Sequence, residues 1–441
     1  MSPASARPLR LALVCDWYPP RVGGVEMHVR ALAEQLAAAG HTVDVITTVA
    51  GCRGDAAPAA AAGDRAQAGD VRVRRLALTC FPHFEIAVAP RTVAAVAAAV
   101  ADGGYDLVHA HASVVSPLAF AGAAAASRLG IPAVLTHHSV LGRAAALLAA
   151  ADRVTGWTRW RVLHTAVSPL VADEVQTAAK RAGAGRELLM HVLPNGIHPE
   201  AWAAPRRPYH ARPLADGGPT AGEGEFHVAS VMRLAGRKRP RALVEIADRV
   251  RQALPPGVQL RLRVAGDGPE RRVVEREVAR RRLEGVVELL GWQPREQIRA
   301  LYAASDVFVL PSILESFGIA ALEARCAGLP VVAMRRAGPA AFVRDGVEGL
   351  LADDDVHMAA QLVRLATDNR LRAGIARHNR GTLLAETWPA VLARHAAVYA
   401  DARRMARGLA LHSTGSTVAR PSDRELRGVA GRRLVTGGRR R

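Results

Sequence analysis

Glu315 and Glu323 stand in the run E-S-F-G-I-A-A-L-E, behind a strand-like stretch, Val307–Leu310, and a short loop. Gly318 falls where that loop should enter a helix, and open N–H groups at a helix start suit a phosphate or a sugar hydroxyl. Two carboxylates about such a turn can flank one ligand, one reaching polyol hydroxyls and the other a reacting sugar. Taken alone, the pair also reads as a solvated loop residue and an exposed helix residue. A second group is cationic. Arg233 and Lys238 lie in M-R-L-A-G-R-K-R-P, and Lys180 and Lys238 are the only lysines among 59 basic residues. A lysine set between arginines in so arginine-rich a chain suggests a requirement for a compact point charge. Fixed cations in a water-poor cleft stabilise the negative charge that develops on a departing phosphate. The alternative is a solvated basic turn.

Histidines form a third group. His109 and His111, at i and i+2 near the end of a strand, point to one side, and His137 and His138 end the next strand. Such a cluster could chelate zinc, but nothing in the sequence fixes a second shell around it. Asp353, Asp354 and Asp355 mimic a metal-binding D-x-D. They precede a helical stretch from about Val356, where acidic residues cap the helix and complement its dipole, and the cap is the preferred reading. Cys15, Cys52, Cys80 and Cys326 are scattered without a C-x-x-C, so neither a zinc knuckle nor a redox pair is written here.

These groups need elements to hold them. Strand-like Leu11–Cys15 runs into a Pro/Gly-rich loop, an amphipathic segment Val25–Ala39 and a helix-ending Gly40, then Thr42–Thr47. Asp106–Ala110 and Ala133–Thr136 read as further buried strands, with Ala-rich helices Val93–Val100 and Ala119–Leu129 between them. After a Pro/Gly-rich stretch the alternation restarts at Phe226–Val231 and continues to Val331–Ala333. The spacing predicts an α/β chain of two doubly wound halves with parallel sheets, whose ligand cleft lies at the strand C-termini between them. The expected organisation is residues 1–205, a linker 206–224, a second domain 225–385, a helix 386–406 crossing back to the first half, and a disordered basic tail 407–441.

Several motifs in order now carry a resemblance. E-x7-E is followed by Ala324, Gly328, Pro330, Val331 and Val332 in the pattern A-x-x-x-G-x-P-V-V. G-D-G-P-E (Gly266–Glu270), the run Gly291–Asp306, P-N-G-I (Pro194–Ile197) and G-G-V-E (Gly23–Glu26) complete the set. From about Leu11 to Tyr399 the chain resembles the retaining family 4 glycosyltransferases, which have two facing Rossmann-like domains, the GT-B fold. The resemblance implies that Arg233 and Lys238 hold a donor diphosphate and Glu315 positions the sugar, with His111 beside it. It also implies that Gly24, Gly266, Phe317, Gly318, Ile319, Leu322 and Glu323 line the nucleotide, Glu323 on the ribose. Gly23, His137 and His138 then fall on the acceptor side. No metal and no separate cofactor are implied, the donor being a UDP- or GDP-sugar.

Tyr18–Val29, His109–Ser113 and Thr136–Gly142 look most like the subunit that transfers N-acetylglucosamine to phosphatidylinositol and its bacterial relatives, which implies a lipid or polyol acceptor. Three positions depart from the family pattern. His198 stands for an Asp, Arg239 for the Gly after the Lys, and the run Ala337–Ala341 lacks the usual Glu.

Composition bounds the remaining readings. Half of the 441 residues are apolar and 22% are charged, which fits a globular chain and excludes a disordered one. No apolar run is long enough to span a bilayer, and Leu11–Cys15 is too short for a signal peptide, so a cytoplasmic protein is expected. The net charge of +19 would by itself suggest nucleic acid or an anionic membrane. Eleven arginines between Arg403 and Arg441, against Asp423 and Glu425, carry nearly half of it. A peripheral contact with anionic membrane is therefore expected, and nucleic acid is not. The competing functions are a non-enzymatic basic binding protein and a sugar-nucleotide epimerase or hydrolase on a related scaffold.

Overall fold

The computed structural model describes residues 7–21, 23–48, 71–76, 78, 87, 90–184, 187–203 and 224–409. The linker and basic tail expected from the sequence lie almost wholly outside the described residues, as do Cys52 and Cys80. In the first half, strands β1 (Arg10–Cys15), β2 (Thr42–Thr48), β3 (Val71–Leu76), β4 (Leu107–Ala112), β5 (Ala133–His137), β6 (Leu163–Ala166) and β7 (Met190–Val192) form one sheet. Their order is β3-β2-β1-β4-β5-β6-β7, and every pairing is parallel. Helices α1 (Gly24–Ala38), α2 (Pro90–Ala101), α3 (Pro117–Leu129), α4 (Ala144–Thr155) and α5 (Pro169–Arg181) make the crossovers.

The second half repeats the plan. Strands β8 (Gly224–Val231), β9 (Val258–Ala265), β10 (Val287–Gly291), β11 (Val307–Leu310), β12 (Val331–Met334) and β13 (Gly349–Ala352) lie in the order β10-β9-β8-β11-β12-β13, again parallel. Helices α6 (Pro240–Ala253), α7 (Arg271–Arg280), α8 (Arg295–Ala303), α9 (Ile319–Cys326), α10 (Asp355–Thr367) and α11 (Asn369–Gly381) flank it, and α12 (Trp388–Ala406) follows. The α/β fold of two doubly wound halves thus stands as the sequence predicts. Central strands are buried along nearly their whole length, β11 as the apolar run V-F-V-L and β4 and β5 with histidines set among aliphatic residues, because helices cover both faces.

Strand order reverses between β1 and β4 in one sheet and between β8 and β11 in the other. Loops leaving those strands diverge to opposite faces and leave a crevice beyond the carboxyl ends. The chain leaves the second half at Glu386–Trp388, where Ile197 N–H donates to the Glu386 carbonyl at 2.9 Å and Trp388 N–H to the Ile197 carbonyl at 3.2 Å. Helix α12 then packs over β5 and β6 of the first sheet.

Candidate active site

The crevice of the second half is built on two loops. The first leaves β8 and carries Arg233, then a single 3-10 turn, Gly236–Lys238. The second leaves β11 and carries Glu315 to Gly318. Lys238 Nζ lies 2.5 Å from Glu315 Oε2, so the predicted cation and the predicted carboxylate form an ion pair across the crevice. Ser312 Oγ donates to the Lys238 carbonyl at 3.3 Å and ties the loops together. Glu315 is buried and Lys238 half-buried. Arg233 is exposed, and its guanidinium meets no partner among the described residues.

Glycines let these backbones approach. A Cβ on Gly266 would lie 1.8 Å from the Met232 carbonyl oxygen, so the G-D-G loop can press against the loop of Arg233 only without one. Leu234 N–H donates to the Asp267 carbonyl and Glu270 N–H to the Leu234 carbonyl, each at 2.9 Å. Gly318 caps α9 with φ +90°, a left-handed conformation that favours glycine, and aims the first-turn N–H groups of α9 at the crevice. Phe317 and Leu322 are buried beneath that turn and Ile319 is half-buried at its start. Glu323, one turn further, is half-buried; burial pushes its carboxyl up to about 8 against the pull of Arg295 and the Tyr302 hydroxyl.

The first half closes the crevice from the other side. A Cβ on Gly24, at the start of α1, would lie 4.0 Å from Ile319 Cδ1, so the N-termini of α1 and α9 face each other across the gap. Ser316 joins the halves: its Oγ accepts from Val140 N–H at 2.9 Å and its carbonyl accepts from Ser168 Oγ at 2.5 Å. Arg237 spans the gap too, donating to the Leu314 carbonyl at 3.1 Å and the Val140 carbonyl at 2.9 Å. Gly23 precedes α1 in an extended conformation, and the Glu26 carboxylate folds over it.

His111 lies within β4 rather than beyond its end, and its Nδ1 is 3.0 Å from His138 Nε2. Its Nε2 is buried without a hydrogen-bond partner among the described residues. Burial holds both rings well below the ordinary 6.5, the neighbouring histidines adding to it, so both are neutral at pH 7. His137 does not join them. It pairs across the sheet with Ala112, whereas His111 pairs with Thr136, so alternation places His137 on the opposite face. There its ring packs on Phe120 and His164.

The three aspartates after β13 separate. Asp354 Oδ1 accepts from His357 N–H at 2.7 Å and caps α10, while Asp353 pairs with Arg335. Asp355 holds Arg239 through two bonds of 2.9 and 2.7 Å. Among the described residues no three of His, Cys, Asp or Glu converge to hold a metal ion. Sequence reasoning missed Ser316, Arg237 and the Arg239–Asp355 pair. Each acts through a partner distant in the chain, and adjacency to Glu315 and Lys238 was the only local sign.

Against known proteins, residues 216–382 match the family described as Glycosyl transferases group 1, and residues 22–201 match Glycosyltransferase Family 4. A D-inositol 3-phosphate glycosyltransferase of Geodermatophilus obscurus is 30% identical over 417 residues, covering 85% of this chain and 86% of its own. A GDP-mannose-dependent alpha-mannosyltransferase of Mycolicibacterium smegmatis is 29% identical over 393 residues, covering 87% and 95%. Among solved structures, sucrose-phosphate synthase of Thermosynechococcus elongatus superposes with a TM-score of 0.65 at 24% identity, over 89% of this chain and 98% of that one. The Anabaena protein HepE in complex with UDP gives 0.60 at 22% identity, over 84% and 94%.

Proposed function

The chain belongs to the family 4 glycosyltransferases, and we propose that it moves a sugar, with retention and without a metal ion, from a UDP- or GDP-linked donor to a hydroxyl of a polyol or lipid. The observation that carries this reading is the pair of opposed helix N-termini at Gly24 and Ile319, with Lys238 held by Glu315 on the loop that leads into the second. Arg233, exposed on the loop after β8, supplies a second cation in this reading. Helix N-termini and fixed cations are what a diphosphate gathering charge as it departs requires. Glu323 receives the ribose hydroxyls. Protonated near neutral pH, it can donate as well as accept there.

Glu315 is committed to Lys238, so it orients the sugar rather than attacking it. The leaving phosphate then remains as the base for the incoming hydroxyl, which corresponds to front-face attack. Neutral His111 offers its free Nε2 to the sugar, and the acceptor enters over Gly23 and His138. The names of the relatives support both an inositol phosphate acceptor and a GDP-mannose donor, and the HepE complex supports a UDP-linked one.

Thermal shift with UDP and with GDP tests the donor side, followed by transfer assays with the matching sugar nucleotides. Stabilisation by one nucleotide and sugar transfer from its conjugates are expected. No stabilisation by either, with no sugar released, sinks the reading.

A further inference from the structure

Helix α4 reads A-A-A-L-L-A-A-A-D-R-V-T. Its first eight residues, Ala144–Ala151, are apolar all round, a pattern that normally marks a helix enclosed by protein. Here only one side is enclosed. Ala145, Ala149 and Asp152 are buried, Asp152 bonding the backbone and hydroxyl of Thr158 at 2.8 and 3.0 Å. On the other side Leu147 is 73% exposed and Val154 91% exposed. With exposed Ala151 between them they stand at i, i+4 and i+7, one stripe along the helix.

Exposed arginines frame that stripe: Arg143 before it, Arg153 beside it, and Arg159 and Arg161 in the turn that follows. None of the four guanidiniums has a carboxylate or any other hydrogen-bond partner among the described residues. Other arginines at the surface are paired in part, as Arg30 is with Glu34, Arg261 with Glu225 and Arg335 with Asp345; what sets these four apart is that they surround exposed aliphatic side chains. Next to this turn, at the end of α3, Arg128 and the half-exposed Leu129 extend the surface, joined through the bond from Arg161 N–H to Ser127 Oγ at 3.0 Å.

We infer that α4 is a seat for an anionic lipid surface, lying in its interface with Leu147 and Val154 down and the arginines among the headgroup phosphates. Charge complementarity selects this occupant. Aliphatic residues without polar tips, framed by unpaired cations, fit acyl chains below a layer of phosphates. No helix among the described residues is long and apolar enough to cross a membrane, so α4 lies on the surface rather than through it. The seat also stands at the mouth of the crevice. Gly142, just before α4, approaches Leu314, whose side chain and that of Ile313 are exposed on the loop leading to Glu315. A lipid acceptor would need to move only sideways to enter. That last point rests on the proposed lipid reading of the acceptor; the docking itself does not.

The test uses the full chain carrying Val154→Cys, labelled with an environment-sensitive fluorophore. Vesicles are equal parts phosphatidylglycerol and phosphatidylcholine, or phosphatidylcholine alone. Leu383→Cys, 94% exposed on the second half, is the control site, and the labelled parent with its four native cysteines gives the background. A blue shift at position 154 with the anionic vesicles, weakened in high salt and absent at position 383, is expected. Leu147→Asp with Arg153→Glu should weaken vesicle partition about tenfold. Sedimentation with vesicles without a shift at 154 would assign binding to the basic tail and overturn the proposal. So would a lipid-free dimer abolished by Leu147→Asp, or a shift produced by nucleic acid instead. No donor or acceptor is present, so a failure here leaves the glycosyl-transfer reading standing, and the reverse holds as well.

Discussion

Lys238 and Glu315 hold each other in place before any donor arrives. A buried carboxylate left without its cation is costly, and a diphosphate left without its nearest ammonium loses its main counter-charge. Lys238→Ala should therefore lower transfer by about two to three orders of magnitude in kcat, with a smaller drop in melting temperature. Lys238→Arg should not restore it. The 3-10 turn sets the ammonium 2.5 Å from one carboxylate oxygen, a space for a point charge and not for a planar fork. Steady-state kinetics with the cognate sugar nucleotide decides it, and near-normal kcat in either variant would remove Lys238 from the site. Lysine rarity and the carboxylate spacing made this pair visible in the sequence. The unpartnered Nε2 of His111 was not visible, because it depends on which ring faces which across two strands.

At the scale of elements, the turn that presents Lys238 ends on Arg239 at φ +58°, where a side chain costs roughly 1–2 kcal/mol. The sequence shows only that a glycine is missing there. Its compensation, Asp355, comes from the run that resembled a metal motif, 116 residues away. Since the pair is only partly exposed, Arg239→Gly should be near neutral in stability, relief of strain offsetting the lost bonds. Asp355→Ala keeps the strain and loses its anchor, so it should cost about 1–2 kcal/mol and raise the donor KM further than Arg239→Gly. Equal effects in urea melts would contradict the latch. Gly318 is the counterpart on α9: at φ +90° a Cβ would also meet Pro339 Cγ at 2.7 Å. Gly318→Ala should cost about 1–3 kcal/mol and weaken nucleotide binding by calorimetry. Long buried strands and Gly- or Pro-bounded helices were legible from their runs. Edge strands β3 and β7 were not, since V-R-V-R-R-L and M-H-V are short and half-exposed, and arginines that guard an edge erase the apolar signal.

For the whole molecule, α12 returns from the second half to lie on the first sheet, and it brings histidine against histidine. Trp388 stacks on His28, Tyr399 Oη lies 2.9 Å from His109 Nδ1, and the His395 ring lies 5.7 Å from that of His109. With His111 and His138 these rings are buried, and burial holds all five below the ordinary 6.5, His395 at about 4. The unfolded chain takes up protons at these histidines below pH 6.5 while the folded chain does not. Their contribution is complete above 6.5 and drains as pH falls, by about 1.4 kcal/mol per pH unit for each independent site. Asp16 and Glu323 work in the opposite sense. Burial raises them to about 7 and about 8, so the unfolded chain sheds those protons first and stability declines as pH rises toward 8. His137 and His164 are lowered in the same way and Glu386 is raised with the two carboxylates, so the histidines prevail below pH 6.5 and the carboxylates above it, and the melting temperature should peak near pH 6.5. Melting curves between pH 5 and 9 test this. His395→Phe should flatten the acid limb alone, whereas Glu323→Gln should flatten the alkaline limb and steepen the acid one. A variant that lowers the whole curve without changing its shape would mean that its group packs in the fold without coupling its proton to folding.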